Sequence, residues 1–130
     1  MIKVIIDTNF FLIPYQHRID IFSEIERLIA RKYELLTTSN VIRELKAILE
    51  NPESSGADKT GAKIAFQLIE KKSIQVIKDN LSVDNAMVWF AEKNRPDVIV
   101  CTNDRQLKRR LKKRGIRIIS MREKNHLDLD

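Results

Sequence analysis

Four acids in this chain sit where a carboxylate can do more than face solvent: Asp7, Glu44, Asp84 and Asp104. Asp7 ends the apolar run Val4-Ile5-Ile6 and opens Asp7-Thr8-Asn9, while Asp104 closes Thr102-Asn103-Asp104 behind a second apolar run, Val98–Cys101. Asp84 stands in Ser82-Val83-Asp84-Asn85, and Glu44 in Val41-Ile42-Arg43-Glu44-Leu45. Converging carboxylates repel one another, and each has a raised pKa unless a cation compensates. Mg²⁺ and Mn²⁺ are the hard ions for an oxygen-only set, Mg²⁺ binding at about 2.0–2.1 Å and keeping several waters. Such a site suits phosphodiester hydrolysis, in which a metal-bound water attacks and two ions about 3.5–4 Å apart stabilise the attacking and leaving oxygens. No histidine or thiol is needed, and the chain holds only His17, His126 and Cys101. Taken singly, each acid has a plainer reading: Asp84 and Asp104 as partners of a helix N-terminus, Glu44 as a surface residue. Asp20, Glu24, Glu26 and Glu92 fall on polar helix faces and are assigned to solvent.

The elements that must position these acids alternate along the chain. A strand ending at Ile6 is followed by an apolar connection, Phe10–Tyr15, broken by Pro14. Asp20–Lys32 has Ile21, Phe22, Ile25, Leu28 and Ile29 at helical spacing, and Tyr33–Thr38 reads as the second strand. Ser39 is the expected N-cap of a helix over Val41–Glu50. Asn51–Gly61 holds a proline and two glycines and reads as the most mobile loop, with a helix over Ala62–Lys72 behind it. Ser73–Lys78, Asp97–Thr102 and Ile116–Ser120 read as strands three to five. Helices over Val83–Asn94, capped by Ser82, and Arg105–Lys113, stopped by Gly115, lie between them; the tail from Met121 shows no strong period. Regular alternation of strand and helix predicts an α/β fold with a mostly parallel sheet and right-handed crossovers. All four acids then fall near the carboxyl ends of strands, where such sheets build their ligand sites.

Bulk composition agrees with one globular domain over residues 1–130: 43% of residues are apolar and 32% charged, and a core can be buried without staples. No apolar run approaches the ~18 residues of a membrane span. The strand begins directly after Met1, so no targeting segment and no membrane partner are expected. A single cysteine, Cys101 in an apolar run, excludes an internal disulfide framework and fits a cytoplasmic protein with an inert core thiol. Between Arg105 and Lys124 ten basic residues face the single acid Glu123; this segment carries +9, and the rest sums to −3 within the chain's +6. Charge gathered in one segment points to a polyanion partner. Trp89, among apolar residues, is expected in the core.

Together, Asp7-Thr8-Asn9, the glutamate in Val41–Leu45, Ser82-Val83-Asp84-Asn85-Ala86 and Thr102-Asn103-Asp104-Arg105-Gln106-Leu107 resemble the PIN-domain ribonucleases, in that family's order and over essentially the whole chain. Within the family, the opening DTNFFLIPYQ and the closing TNDRQLKRRLKKRGIRIISMREK are most similar to the ribosomal RNA-processing PIN proteins of archaea and the eukaryotic small-subunit processome. The resemblance implies a three-layer α/β/α fold with five strands in the order 3-2-1-4-5. It implies catalytic and Mg²⁺- or Mn²⁺-binding roles for Asp7, Asp84 and Asp104, with Glu44 as the fourth acid, direct or through water. Asn9 and Thr102 match positions that support the site by hydrogen bonding. The activity implied is endoribonuclease cleavage of precursor ribosomal RNA, with ribosome assembly proteins as partners and homodimers compatible with the family. RNA would be anchored by residues among Arg105, Lys108, Arg109, Arg110, Lys112 and Lys113; helical geometry cannot put Lys108, Arg109, Arg110, Lys112 and Lys113 all on one face, so some of them are only solvated. Two alternatives stand beside it: a toxin-type PIN ribonuclease held by an antitoxin, and a non-catalytic RNA-binding assembly factor.

Overall fold

The computed structural model describes every residue except Lys124, so that member of the basic segment lies outside the described residues. Among the described residues six strands form one sheet: β1 (Ile2–Ile6), β2 (Tyr33–Thr38), β3 (Gln75–Ile77), β4 (Val98–Cys101), β5 (Arg117–Arg122) and β6 (His126–Leu129). Their order is β3-β2-β1-β4-β5-β6; neighbours run parallel except β5 and β6, which are antiparallel. The expected order 3-2-1-4-5 is therefore present, with one further strand at its edge.

Consecutive strand residues point to opposite faces. Val4, Ile5 and Ile6 are all fully buried and every residue of β4 is buried, so helices must cover both faces of the sheet centre. After β1 the chain moves outward through β2 and β3, then crosses back to β4 on the other side of β1. Ile6 pairs with Cys101, and the Asp7 N–H donates to the Cys101 carbonyl at 3.0 Å. The sequence segments after β1 and β4 are thus held side by side at the switch point.

Seven helices among the described residues connect the strands: α1 (Thr8–Phe11), α2 (Ile13–His17), α3 (Ile21–Leu28), α4 (Ser39–Glu50), α5 (Gly56–Lys71), α6 (Val83–Asn94) and α7 (Arg105–Lys112). Several differ from the sequence reading. Phe10–Tyr15 is two short helices rather than a broken connection, because Pro14 falls in the first turn of α2, where a missing N–H costs nothing. Phe10 and Phe11 are both fully buried, each worth roughly 1.5–3 kcal/mol, and so clamp the chain immediately after Asp7. Thr38, not Ser39, caps α4, its hydroxyl accepting from Val41 N at 3.2 Å.

The expected loop Asn51–Gly61 shrinks to five residues. Ser55 caps α5 by accepting from Asp58 N at 3.0 Å, and the helix begins at Gly56. Gly61 is buried beneath Leu12 and Tyr15, with its Cβ position 3.6 Å from Leu12 Cδ2, so it permits close helix packing instead of a turn. The other end of the chain also carries more structure than its period suggested: β6 buries Leu127 and pairs Met121 with Leu127 and Arg122 with His126. Gly115 stops α7 as expected, its φ of 70° lying in the left-handed region that glycine enters without penalty. Among the described residues no helix is long and apolar enough to cross a membrane.

Candidate active site

Asp7 leaves β1 at the switch point and is only 4% exposed. One carboxylate oxygen accepts from Thr8 N at 2.8 Å, capping α1, and the other accepts from the Thr102 hydroxyl at 2.6 Å. Thr102, fully buried at the end of β4, also accepts from Asp104 N at 3.1 Å. A single hydroxyl therefore ties the acid after β1 to the acid after β4. Asn9 braces the same junction, its Oδ1 accepting from Asn103 N at 3.3 Å, while Asn103 Oδ1 accepts from Met121 N at 2.8 Å on β5.

The other acids arrive on helices. Asp104 is the N-cap of α7, with Oδ1 accepting from Leu107 N at 2.9 Å, so its capping role coexists with a second oxygen free of that bond. Asp84 lies in the first turn of α6, capped by Ser82, which accepts from Asn85 N at 3.3 Å. Glu44 projects from the second turn of α4 and accepts a short hydrogen bond from the Thr8 hydroxyl. Thr8 was missed as a site residue, because its partner stands 36 positions away; its place between Asp7 and Asn9 was the available signal.

All four acids line one cleft of about 280 Å³, together with Thr8, Asn9, Leu12 and Val83. Burial pushes the Asp7 carboxyl up to about 6, against the Thr102 and Thr8 hydrogen bonds, with the charges of Asp84 and Glu44 adding to the rise. Asp84 is also raised, first by burial and then by the charge of Asp104, with Arg110 opposing and Glu44 adding. Among the described residues no three acids are drawn close enough to enclose an ion unaided. The donor set still fits a hard divalent cation: it is all oxygen, the Asp7 and Asp84 carboxyls are raised by burial and further by neighbouring acid charges, and the cleft leaves room for the waters such an ion keeps.

The basic segment is partly neutralised within the chain. Arg114 pairs with Glu92, Lys112 with Asp130 at 3.7 Å, and Arg122 with Asp128 at 3.3 Å. Arg110 turns to α6, donating to Asn85 Oδ1 at 2.9 Å beside Asp84. On α7, Leu107 and Leu111 are buried; Arg105, Arg109 and Lys112 are exposed on the opposite side by helical spacing, Lys108 is half-buried on the flank, and Lys113 is exposed just past the helix end. Arg105 directly follows Asp104, whereas Lys113 lies about 12 Å further along the axis. Trp89 is corrected from core to surface: it is 52% exposed on α6, with Lys93 Nζ 4.6 Å from the ring centroid. Its neighbours Met87, Val88, Phe90 and Ala91 are buried, so the apolar run conceals one outward position of the helix. Cys101 is fully buried, and burial pushes its thiol well above the ordinary range, in keeping with an inert core residue.

A protein-family model described as a PIN-like domain matches residues 4–124. The chain is 30% identical to the protein named ribonuclease VapC4 of Methanocaldococcus jannaschii over 129 residues, covering 99% of this chain and 97% of that one. It is 29% identical to ribonuclease VapC9 of Archaeoglobus fulgidus over 119 residues, covering 92% and 82% respectively. The structure of the PIN domain endonuclease Utp24 superposes with a TM-score of 0.78 at 24% identity, over 98% of this chain and 90% of that one, which is a likeness of fold. Its sequence relatives are named ribonucleases, and the chain itself belongs to the PIN-like domain family.

Proposed function

We propose that this chain is a divalent-cation-dependent endoribonuclease, with Asp7, Glu44, Asp84 and Asp104 as the acids of its active site and precursor ribosomal RNA as its target. One observation carries the reading: four acids from four separate parts of the chain line a single cleft at the switch point of the sheet. Asp7, Asp84 and Asp104 would hold Mg²⁺ or Mn²⁺, with Glu44 contributing directly or through water. When bound, the cation supplies Lewis-acid charge to the phosphoryl oxygens and lowers the pKa of water.

The chain's own residues supply orientation. Thr102 and Thr8 N lock the Asp7 carboxylate in one rotamer, as a ligand acid requires. The Thr8 hydroxyl holds Glu44 against the end of β1, and Asn9 sets the turn that delivers Asp104. Arg105, Lys108, Arg109 and Lys113, none of them in an ion pair among the described residues, are available to RNA phosphates; Lys112 shares its charge with Asp130.

Cleavage of a precursor small-subunit ribosomal RNA fragment with Mn²⁺ or Mg²⁺, comparing wild type with Asp7→Asn, tests this. Discrete cuts that need the cation and vanish in the variant are expected. Tight binding by both proteins with cuts from neither refutes catalysis and leaves the RNA-binding assembly factor. The two VapC relatives weigh toward a second target class, in which a toxin-type ribonuclease cuts transfer or messenger RNA and is held by an antitoxin. Cuts in those RNAs with the ribosomal precursor left whole would move the substrate there without changing the roles of the acids.

A further inference from the structure

The acid cleft continues past Glu44 and Val83. Both residues also line a second, wider hollow of about 480 Å³, bounded by α4 on one side and residues 80–83 on the other. Its wall is braced although it has no regular structure. Asp79 accepts from Asn40 Nδ2 at 2.7 Å and from Leu81 N at 3.1 Å, and its own N–H donates to Ser39 Oγ at 3.1 Å. Arg43 donates through Nε to Asn40 Oδ1 at 2.8 Å and through Nη2 to the Asp79 carbonyl at 3.3 Å. The connection from β3 to α6 is thus tied to the first turns of α4.

This bracing leaves Asn80, Leu81 and Ser82 exposed, Leu81 at 43%. A leucine held out beside an amide, a hydroxyl and a guanidinium matches a flat ring with polar edges and an adjoining phosphate. The leucine offers a face, the amide and hydroxyl read an edge, and the cation meets the phosphate. The volume falls within the range of roughly 300–1,000 Å³ usual for small-ligand sites and admits a single nucleotide. Farther along α4, Arg43 is joined by Lys46 at the rim of an adjoining hollow, where the two cations outnumber the single acid Glu50.

We propose that this hollow is the subsite for the nucleotide flanking the cut bond, and that Asn80, Leu81 and Arg43 set the base preferred there. The inference rests on the nuclease reading of the cleft.

Two measurements test it. First, an unstructured RNA oligonucleotide library is cleaved by wild type and by Asn80→Ala/Leu81→Ala, with thermal melting to show that the exposed double variant folds. The expected result is a KM raised about five- to tenfold, from one lost hydrogen bond and one lost apolar contact, with relaxed base preference at one position beside the cut. An unchanged KM and cleavage pattern overturns the subsite while leaving the nuclease reading intact. Second, backbone amide shifts are followed as an eight-nucleotide single-stranded RNA is added to Asp7→Asn. Shifts at Arg43–Ala47 and Asn80–Val83 support the subsite even if wild type cleaves nothing, and shifts confined to α7 overturn it.

Discussion

Replacing Asp7 by Asn removes the most buried charge of the cleft while keeping the shape of the side chain. A carboxyl raised from its ordinary 3.8 to about 6 by burial makes the ionised form cost the fold about 3 kcal/mol at neutral pH. The sign follows from linkage: with the folded value above the unfolded one, stability is highest below about pH 4 and falls as pH rises through about 6. The substitution disturbs the 2.6 Å Thr102 bond, a loss of about 1 kcal/mol. A net gain of about 2 kcal/mol remains, or roughly 4–8 °C in Tm for a chain of this size. The assay is thermal melting of cation-free wild type and Asp7→Asn between pH 4.5 and 8. The variant should melt higher at pH 7.5, with the gap shrinking toward pH 4.5. Adding Mg²⁺ should then raise wild type alone, by about 2.7 kcal/mol at one hundred times Kd. An Asp7→Asn protein that is less stable than wild type at pH 7.5 without cation, or whose gain is the same at both pH values, would show that the buried charge of Asp7 does not cost the fold this stability.

Thr102→Val leaves Asp7 without its hydroxyl donor and Asp104 N without its acceptor, so cleavage should fall about 10–100-fold and stability by about 1–3 kcal/mol. That stability loss should widen as pH rises past 6, because Thr102 holds the Asp7 pKa down; melting at pH 5 and pH 7.5 checks both parts. RNA binding should weaken with salt at a log–log slope of about −3 if Arg105, Lys108, Arg109 and Lys113 all contact phosphates, and Arg105→Ser/Arg109→Ser should flatten it by about 1.4. Trp89 is the chain's single tryptophan and half exposed, so its fluorescence should be readily quenched by acrylamide, and Trp89→Phe should change stability by less than about 0.5 kcal/mol in urea unfolding.

The placement of Asp7 and Asp104 was legible because each ends an apolar run long enough to mark a buried strand, and strand ends in parallel sheets gather at one rim. Asp84 and Glu44 followed from helix starts identified by Ser82 and by the period of Val41, Leu45 and Ile48. What stayed hidden depended on tertiary partners. Gly61 reads as a loop residue until Leu12 and Tyr15 are seen packed on it. β6 is four residues long, and its Leu127–Leu129 alternation is too brief to stand out without β5 beside it. The Thr8–Glu44 and Asn40–Asp79 bonds join residues more than thirty-five positions apart, which no local period encodes. Trp89 looked buried because its neighbours are, and only the packing of α6 decides which position of an apolar run faces outward.

The proposed function requires that Asp7, Asp84 and Asp104, with Glu44 directly or through water, hold a divalent cation. Crystals soaked in Mn²⁺ and measured for anomalous scattering test it directly. A peak is expected in the cleft within ligand distance of Asp7, Asp84 and Asp104, lost in Asp7→Asn. A cleft without a peak at saturating Mn²⁺, or a peak retained when Asp7 is replaced, would contradict it.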